Sequence, residues 1–296
     1  MQQEIDELFH VSFSGCEAPR APRRSLKRAP SSDDGRRDVP EGPGPDDSFA
    51  AWLLGKLGID ARSYRASALA RRIPACLRIL RERTCDSAML KLTRKPELLV
   101  PALGALLIGA SEYFRDRGVF DDLRANVLPR LLREKARLSI LSVGCSSGQE
   151  LYSMAMLLHQ ADALGRCCLT GLDCRADAIE KARAGIFTEH EMKGLEPDLR
   201  ARYFRLQDGR WASLPSLSRA ISWQVANILA CSFPASDIIL FRNVAIYLET
   251  QAADCLWNSL CASLPAGGVL ITGKAEKPPK QMPLKRLTVS VYQKIE

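Results

Sequence analysis

The sequence predicts an α/β protein with a mainly parallel sheet, a small N-terminal helical domain and a β-hairpin insertion. One observation is that short apolar stretches alternate with amphipathic stretches of helical length from residue 138 onward. This alternation is typical of parallel strands joined by right-handed helical crossovers. The other observation is that residues 138–156 contain a β-branched run, a Gly/Ser turn from Gly144 to Gly148, and an amphipathic helix. Because such a turn presents backbone N–H groups at a helix N-terminus, a nucleoside with a charged tail is expected there.

The length and composition are those of a globular protein. Of the 296 residues, 46% are hydrophobic, which suffices for one large domain, a smaller domain and a tail. No run of eighteen apolar residues occurs, so no membrane insertion is expected. The N-terminus lacks the basic start and apolar region of an export signal, which predicts a cytoplasmic protein whose ten cysteines stay reduced. Without a C-x-x-C pair or a Cys/His cluster, no metal site is expected, and most cysteines are predicted to lie in the core.

Residues 1–48 are predicted to be a disordered tail. Residues 14–48 are rich in Pro, Gly, Ser and mixed charge and contain almost nothing apolar. Such a segment buries too little apolar surface to offset the entropy of ordering. The tail carries more acidic than basic residues, so the net charge of +8 is concentrated further along the chain, chiefly in residues 49–96.

Residues 49–110 are predicted to form a small helical domain of about four helices. Apolar residues recur there at intervals of three and four, and Asp86–Ala88 and Lys95–Pro96 supply breaks. The segment also holds a cluster of arginines, namely Arg65, Arg71, Arg72, Arg78, Arg81 and Arg83. Two interpretations stay open: a solvated helix face, and a docking surface for an acidic macromolecule that includes Arg71, Arg72 and Arg78.

The remaining elements follow in regular alternation to the C-terminus. Strands are predicted over residues 167–173, 221–227, 237–243 and 268–273, helices over Arg175–Ala184 and Gln251–Leu264, and a closing edge strand over residues 287–293. Residues 203–219 are polar and turn-rich without a helical period, which predicts a small β-hairpin. Because ligands bind parallel sheets at the carboxyl ends of the strands, the site is expected along that edge.

Asp173 narrows the expected ligand. It lies 25 residues past Gly148, at the carboxyl end of the second predicted strand, where a carboxylate typically accepts hydrogen bonds from both ribose hydroxyls. The turn departs from G-x-G-x-x-G because Ser146 replaces the second glycine and the third is missing, so a dinucleotide is disfavoured. S-adenosylmethionine (SAM) is the commonest nucleoside ligand whose tail is not a pyrophosphate.

The same turn also matches two other motifs. Residues 144–148 match the G-x-S-x-G nucleophile elbow of hydrolases, but that chemistry needs a later acid and then a histidine. Only His159 and His190 follow, and neither lies at a strand end near the C-terminus, so a hydrolase is disfavoured. Ser147 and Glu150 form S-x-x-E, a capping box that is an alternative or additional role for Glu150.

Several motifs resemble one family. GCSSGQELYSMAM (144–156) resembles the G-C-S-T-G-E-E-P-Y-S-x-A-M signature of the CheR-type chemotaxis receptor methyltransferases. SEYFRD (111–116), GLDCRADAIEKARAGIF (171–187) and DIILFRNVAIYLE (237–249) are similar to further motifs of that family. Their order and spacing agree over residues 49–296.

The resemblance implies a fold, an activity and a partner. The fold is the Rossmann-like sheet of class I SAM-dependent methyltransferases, with the SAM-binding domain over 111–296 and residues 203–219 in the place of a β-subdomain. The activity is methyl transfer from SAM to glutamate carboxylates, leaving S-adenosylhomocysteine (SAH). The partner is the acidic helical cytoplasmic region of a chemoreceptor, to which residues 49–110 would dock. The enzyme would act as a monomer, and no nucleic acid is expected as a partner.

The resemblance also implies which residues hold the donor. Glu150 would accept a hydrogen bond from the ammonium group of SAM, and Asp173 would hold the ribose. Asn227 would bond to the adenine edge, and Ile228 would pack on the base. The other implied contacts are Ser111 with a hydroxyl for the methionine moiety, Gly144 in the loop, and Asn243 and Val244 beside the donor's tail.

Two residues are implied at the reacting end. Arg115, in the FRD motif, would fix the donor's carboxylate or the incoming glutamate. Tyr247 would line the approach of the substrate, with a core position as its alternative. Glutamate has an ordinary pKa of about 4.3 and is already ionised at neutral pH, so this chemistry requires no general base.

Two alternatives to the methyltransferase interpretation remain. Gly109 stands where the family usually has Asn, and Gln149 replaces the first Glu of G-E-E, which would fit a catalytically weak SAM- or receptor-binding module. The sequence pI of 9.0 suggests a nucleic-acid methyltransferase. That alternative is disfavoured because the basic segment has almost no interleaved aromatic residues and no recognisable RNA-binding module.

Overall fold

A computed structural model describes residues 45–107, 109 and 111–295. The tail predicted over residues 1–48 lies outside the described residues except for its last four. Those four belong to the first helix, which begins at Pro45.

The described part of the N-terminal segment holds five α-helices: α1 (Pro45–Gly55), α2 (Ala66–Ala70), α3 (Ile73–Leu80), α4 (Cys85–Arg94) and α5 (Leu99–Leu106). The predicted break at Asp86–Ala88 is wrong because Thr84 caps α4, accepting a hydrogen bond from the Ser87 N–H at 3.2 Å. The chain turns earlier, at Arg81, whose φ of 54° is left-handed. The break at Lys95–Pro96 is confirmed, since α4 ends at Arg94.

The helices enclose a core of their own. Phe49 and Leu53 of α1, Cys76 of α3 and Leu92 of α4 are fully or almost fully buried in one cluster. The periodicity therefore identified the inner helix faces well, although Leu90 is 52% exposed on the outer face of α4.

The rest of the chain alternates strands and helices. In order, its elements are α6 (Arg117–Asp122), α7 (Leu128–Glu134), β1 (Leu138–Val143), α8 (Gln149–Gln160), β2 (Cys167–Asp173), α9 (Ala176–Ala184), β3 (Ile186–Phe187), α10 (Pro197–Tyr203), β4 (Phe204–Gln207), β5 (Arg210–Ser213), α11 (Pro215–Ser218), β6 (Ile221–Val225), β7 (Ile238–Phe241), α12 (Thr250–Ser263), β8 (Val269–Thr272), β9 (Leu284–Arg286) and β10 (Val291–Lys294).

The main sheet has seven strands in the order β6-β2-β1-β7-β8-β10-β9. The first five are mutually parallel and the last two pair antiparallel, so the mainly parallel sheet is confirmed. The chain moves outward from β1 in one direction to β2 and β6 and in the other to β7 and β8. This reversal opens a crevice at the carboxyl ends of β1 and β7, where open α/β sheets bind ligands.

The predicted hairpin over residues 203–219 is confirmed. Strands β4 and β5 pair antiparallel, and β3 joins the other side of β5 to complete a three-stranded sheet. Gly209, at the turn, has a φ of 72°, a conformation that glycine adopts at no steric cost.

The predicted closing strand over residues 287–293 is wrong in its start and in its place. The strand begins at Val291 and lies between β8 and β9 rather than at the edge. The reason is a turn between β9 and β10, in which the Arg286 side chain donates hydrogen bonds to the carbonyl oxygens of Thr288 and Val289. The alternating pattern of residues 287–290 belongs to that turn.

The cysteines are less uniformly buried than expected. The nine in the described part of the chain are free, and four of them are buried. Three more are half-buried, and Cys168 and Cys255 are exposed, so the expectation that most cysteines lie in the core is wrong for the described part of the chain. None of the described helices combines the length and apolar character that crossing a membrane requires.

Candidate functional site

A cleft lies over the carboxyl ends of β1, β2 and β7. Its empty volume is about 1000 Å³, part of it open to solvent. Nine of the residues predicted to bind the donor or substrate line it: Ser111, Arg115, Gly144, Glu150, Asp173, Ile228, Asn243, Val244 and Tyr247.

The loop between β1 and α8 forms the floor of the cleft. Gly144, Ser146 and Gly148 all have positive φ, of 74°, 50° and 88°. A Cβ on Gly144 would lie 2.5 Å from Val244 Cγ2, and one on Gly148 would lie 2.5 Å from the Trp223 ring. Both glycines are therefore required by close packing as well as by conformation. Ser146 adopts the left-handed conformation at the position where G-x-G-x-x-G has its second glycine.

Asp173 lies at the end of β2 and is 7% exposed. One carboxylate oxygen accepts a hydrogen bond from the Ser146 N–H at 2.8 Å, and the other accepts from the Arg175 N–H at 3.0 Å. A carboxylate can accept about four hydrogen bonds, so acceptor capacity remains for two hydroxyl groups. The backbone thus fixes a carboxylate acceptor at the place where the ribose is predicted.

Glu150 lies in the first turn of α8, but no capping box forms there. The helix is capped by Gly148 without any side-chain hydrogen bond. Instead, the Glu150 carboxylate accepts hydrogen bonds from Ser142 Oγ at 3.1 Å and from Arg242 Nη1 at 2.8 Å. Its position is therefore set by β1 and by the end of β7, and it faces the cleft.

Arg242 is a central residue of the site that the sequence analysis did not single out. Its side chain is 1% exposed. Nη2 donates to the Arg115 carbonyl oxygen at 2.7 Å and to Asp116 Oδ2 at 2.9 Å, while Nη1 binds Glu150. Nε is buried and finds no acceptor among the described residues. The available signal was an arginine directly after a fully apolar strand, at its carboxyl end.

Glu276 holds the loop that follows β7. Its carboxylate, on a residue only 3% exposed, accepts hydrogen bonds from the backbone N–H groups of Asn243, Val244 and Gly273, at 2.6, 2.8 and 2.9 Å. Asn243 has a φ of 60°, so the loop turns sharply there. The glutamate thereby positions the two predicted donor contacts, Asn243 and Val244, from a distant part of the chain.

The N-terminal helices supply the opposite wall of the cleft. Tyr64 forms an isolated antiparallel bridge with Leu248, and Arg65 donates from its backbone to the Tyr247 carbonyl oxygen at 2.9 Å. Arg65 Nε also donates to the Leu248 carbonyl oxygen at 3.0 Å. The helical residues that line the cleft include Tyr64, Ala68, Leu69, Arg72, Leu106 and Leu107.

The three predicted docking arginines differ in their surroundings. Arg72 lines the cleft, and its Nε donates to the Ala105 carbonyl oxygen at 2.9 Å. Arg71 and Arg78 are exposed on the outside of the helices. A role in docking stays a prediction for all three. Arg72 differs from the other two because it lies at the cleft.

Asn227 is the predicted donor contact that the structure does not bring to the cleft. Its side-chain amide donates to the Gly58 carbonyl oxygen at 3.1 Å, and its Oδ1 accepts from the Leu229 N–H at 3.1 Å. The next residue, Ile228, lines the cleft and is 8% exposed. Contact between Asn227 and adenine stays a prediction.

The cleft contains titratable groups that remain neutral. Burial raises the pKa of the Cys174 thiol to about 12, and the negative charge of Asp173 adds to the effect. Burial also raises the pKa of Cys145 well above its usual range and that of the Tyr64 hydroxyl. Neither thiol is a thiolate near neutral pH, so neither suits nucleophilic catalysis. No three His, Cys, Asp or Glu side chains gather as a metal site in the described part of the chain.

Comparisons with known proteins identify the family. Residues 109–292 match the family model described as CheR methyltransferase, SAM binding domain. A chemotaxis protein methyltransferase of Listeria monocytogenes is 27% identical over 231 residues, which cover 77% of this chain and 88% of that protein. Chemotaxis protein methyltransferase 1 of Vibrio cholerae is 31% identical over 192 residues, covering 62% and 70%. Chemotaxis protein methyltransferase 1 of Pseudomonas aeruginosa is 30% identical over 196 residues, covering 62% and 72%.

Proposed function

The chain belongs to the CheR methyltransferase family, and from that premise we propose that it methylates glutamate side chains of chemoreceptors. The protein is a SAM-dependent methyltransferase that serves chemotaxis. The proposed acceptor is the side-chain carboxylate of a receptor glutamate, and the proposed products are a glutamate methyl ester and SAH. The observation that carries the proposal is the placement of Asp173 and Glu150, two oriented carboxylates, on either side of the glycine loop.

The residues of the cleft fit SAM. Gly144 lines the cleft without a side chain, and Val244 packs against its backbone where a Cβ would otherwise lie, so both residues form the floor on which the donor's tail would rest. Asp173 and Glu150 retain acceptor capacity for the ribose hydroxyls and the ammonium group. Ile228 offers an apolar surface for the base, and Ser111 offers a hydroxyl near Arg115.

When bound, SAM supplies an electrophilic methyl group on a sulfonium centre. The protein's own residues have to bring an ionised carboxylate into line with that group and shield the pair from water. Orientation of this kind is worth up to roughly 7–11 kcal/mol, and partial desolvation of the carboxylate adds to it. The neutral thiols and phenol of the cleft are consistent with chemistry that needs no general base.

Arg115 and Tyr247 are the residues proposed at the reacting end. Both line the cleft, and each is fixed through its main chain: the Arg115 carbonyl oxygen binds Arg242, and the Tyr247 carbonyl oxygen binds Arg65. We assign Arg115 to the carboxylate of the donor or of the incoming glutamate, and Tyr247 to the approach of the substrate.

The proposed partner is the acidic helical cytoplasmic region of a receptor. Exposed Arg71 and Arg78 give the N-terminal helices a positive outer surface, which would steer an acidic helix toward the cleft. The proposal places the enzyme in the cytoplasm, acting as a monomer.

The proposal is tested by transfer of labelled methyl from SAM to membranes that contain candidate receptors. The wild-type protein is expected to give base-labile label on the receptor. Asp173→Asn is expected to weaken SAH binding roughly tenfold to a hundredfold, because hydrogen bonds to a charged acceptor are worth about 1.5–3 kcal/mol. The matched control is Asp121→Asn, which makes the same charge change at an exposed ion pair on α6 and should leave SAH binding unchanged.

Two outcomes would contradict the proposal. If the wild-type protein binds SAH normally but labels no receptor, it is a binding module rather than a glutamate methyltransferase. If the label appears on nucleic acid, or survives base on the receptor, the acceptor is not a glutamate carboxylate.

A further inference from the structure

Arg175 lies inside the cleft, although the sequence analysis gave it no role there. It lies two residues after the end of β2 and directly before α9, and its side chain is 11% exposed. Nη2 donates to Ser146 Oγ at 3.1 Å, and Nε lies 3.7 Å from Asp173 Oδ1. Ser146 Oγ donates in turn to the Gly109 carbonyl oxygen at 2.9 Å. The guanidinium is therefore part of a chain of contacts from the end of β2 to the connection after α5.

The guanidinium also packs directly against that connection. A Cβ built on Gly109 would lie 2.1 Å from Arg175 Nη2 and 2.6 Å from Arg175 Cζ. A Cβ built on Gly104, within α5, would lie 3.8 Å from Arg175 Nη1. The arginine thus occupies the space that a side chain at residue 109 would need. The same Cβ would lie 2.9 Å from Ser146 Oγ, so the packing of Arg175 and its partner Ser146 requires glycine at this position.

We propose that Arg175 is a positioning residue of the SAM site, which fastens the helical wall of the cleft to the ribose-binding carboxylate. Through Ser146 and its ion pair with Asp173, it joins the glycine loop and the end of β2 to α5 and Gly109. This inference rests on the proposed function in that SAM, and its product SAH, occupy the cleft. Gly109 acts as the partner that leaves room for the guanidinium.

The role depends on the forked shape of the guanidinium rather than on charge alone. The Asp173 carboxylate already accepts two backbone hydrogen bonds, and the 3.7 Å separation from Nε is an ion pair without a short hydrogen bond. The hydrogen bond to Ser146 and the packing on Gly104 and Gly109 need several atoms of a planar group. Lysine at position 175 would keep the charge and lose the bridge.

The consequence is a coupling between two residues that lie 66 positions apart in the chain. Gly109→Ala should displace the guanidinium, which is the far end of a flexible side chain, and so reproduce the loss of Arg175. Each of Arg175→Ala and Gly109→Ala is expected to weaken SAH binding about tenfold, mainly through faster dissociation. In the double variant, Gly109→Ala should add less than twofold to the effect of Arg175→Ala.

The experiment measures SAH affinity by calorimetry and SAH dissociation by a chase, for the wild type, both single variants and the double variant. Gly165→Ala is the matched control, because nothing lies within 4 Å of the Cβ it adds, and SAH binding should not change. Arg175→Lys is expected to behave like Arg175→Ala. The proposal is overturned if the two substitutions are additive, if lysine restores wild-type dissociation, or if neither single variant alters it.

Amide hydrogen exchange in α5 of the ligand-free protein separates this proposal from the proposed function. Exchange over Leu99–Leu106 should accelerate in Arg175→Ala and Gly109→Ala and stay unchanged in Gly165→Ala. If the wild-type protein fails to bind SAH, the proposed function fails, while unchanged exchange in Arg175→Ala would overturn the positioning role regardless of any ligand.

Discussion

At the scale of single residues, the site depends on one buried cation shared by two carboxylates. Arg242 binds Glu150 and Asp116, whose side chains are 15% and 20% exposed, and Asp116 has a further partner in Lys274 at 3.1 Å. Removing one member of a buried ion pair leaves the others with an uncompensated charge in a poorly solvated place. Arg242 therefore stabilises the arrangement around the cleft more than an exposed arginine would.

Arg242→Met is expected to lower the free energy of unfolding by about 3 kcal/mol, the lower end of the range for a broken buried pair, because Lys274 still neutralises Asp116. Urea denaturation measures the change. Arg124→Met is the matched control, since Arg124, just after α6, forms an ion pair with Asp121 in which the side chains are 67% and 64% exposed. Its cost should stay within about 0.5 kcal/mol. If both variants lower the free energy of unfolding equally, the buried ion pairs of Arg242 stabilise the protein no more than an exposed ion pair does.

Single residues were predictable where a local motif identified them. Glu150 and Asp173 were found because the glycine loop and a strand end fix their places in the sequence. Arg242 and Glu276 were missed because their partners are far away in the chain, 92 positions from Arg242 to Glu150 and 33 from Glu276 to Asn243. Side-chain contacts over such separations exist only once the chain has folded.

At the scale of elements, a carboxylate fastens the two central strands together. Asp237, directly before β7, accepts hydrogen bonds from Ser139 N and Ser139 Oγ of β1, at 2.8 and 2.9 Å, and pairs with Lys135. Burial alone would raise the pKa of Asp237, but the bonds from Lys135 and Ser139 outweigh it and hold the pKa below its ordinary value of 3.8. The folded protein thus holds this proton more weakly than the unfolded chain does.

Asp237→Asn is expected to destabilise the protein at pH 7 and to make its stability less sensitive to acid. Because the folded-state pKa is the lower one, the contribution of Asp237 is complete above about pH 5, where the carboxyl is ionised in both states, and is lost as the pH falls through the folded-state pKa. The difference between wild type and variant should therefore shrink between pH 5 and pH 3, as measured by urea denaturation. Asp121→Asn, at an exposed pair, should show a small difference with little pH dependence, and a constant difference for Asp237→Asn would refute the linkage.

Elements were predictable where the pattern and the core agreed. Residues 138–143 and 167–173 form β1 and β2 as expected, since continuous apolar runs suit strands buried on both faces. Residues 287–290 alternate between apolar and polar as a strand would, but they form a turn. The Arg286 side chain stabilises that turn by donating hydrogen bonds across it. The start of α4 was not predictable from the break pattern, because Thr84 caps the helix and the polar residues that follow it, including Asp86, form its first turn.

At the scale of the whole molecule, the charge distribution sets how an acidic partner approaches. The chain carries +8, and the N-terminal helices present Arg71 and Arg78 to solvent. Charges at the rim of an interface act mainly on association and are weakened by salt. A receptor-docking role therefore predicts a salt-dependent effect on KM that leaves the donor site untouched.

Arg71→Glu combined with Arg78→Glu is expected to raise the KM for receptor roughly tenfold at low salt, with SAH affinity unchanged. The effect should shrink as ionic strength rises. The matched control reverses two exposed lysines near the other end of the sheet, Lys277 and Lys285, which changes the net charge equally. If both double variants raise KM alike, the overall charge and not the helical surface governs the encounter.

The bridge between Tyr64 and Leu248 limits how this protein can be dissected. The match to the family begins at residue 109, yet Tyr64, Leu69 and Leu106 form one wall of the cleft. A fragment that starts after residue 110 would keep the signature motifs but lose the wall that the N-terminal helices form, so its cleft would be open on that side. For the same reason, a chimera that takes these helices from a relative should also take residues 247–249 from it. The backbone of residues 247–249 forms hydrogen bonds with residues 63 and 65, and both sides of these bonds have to match.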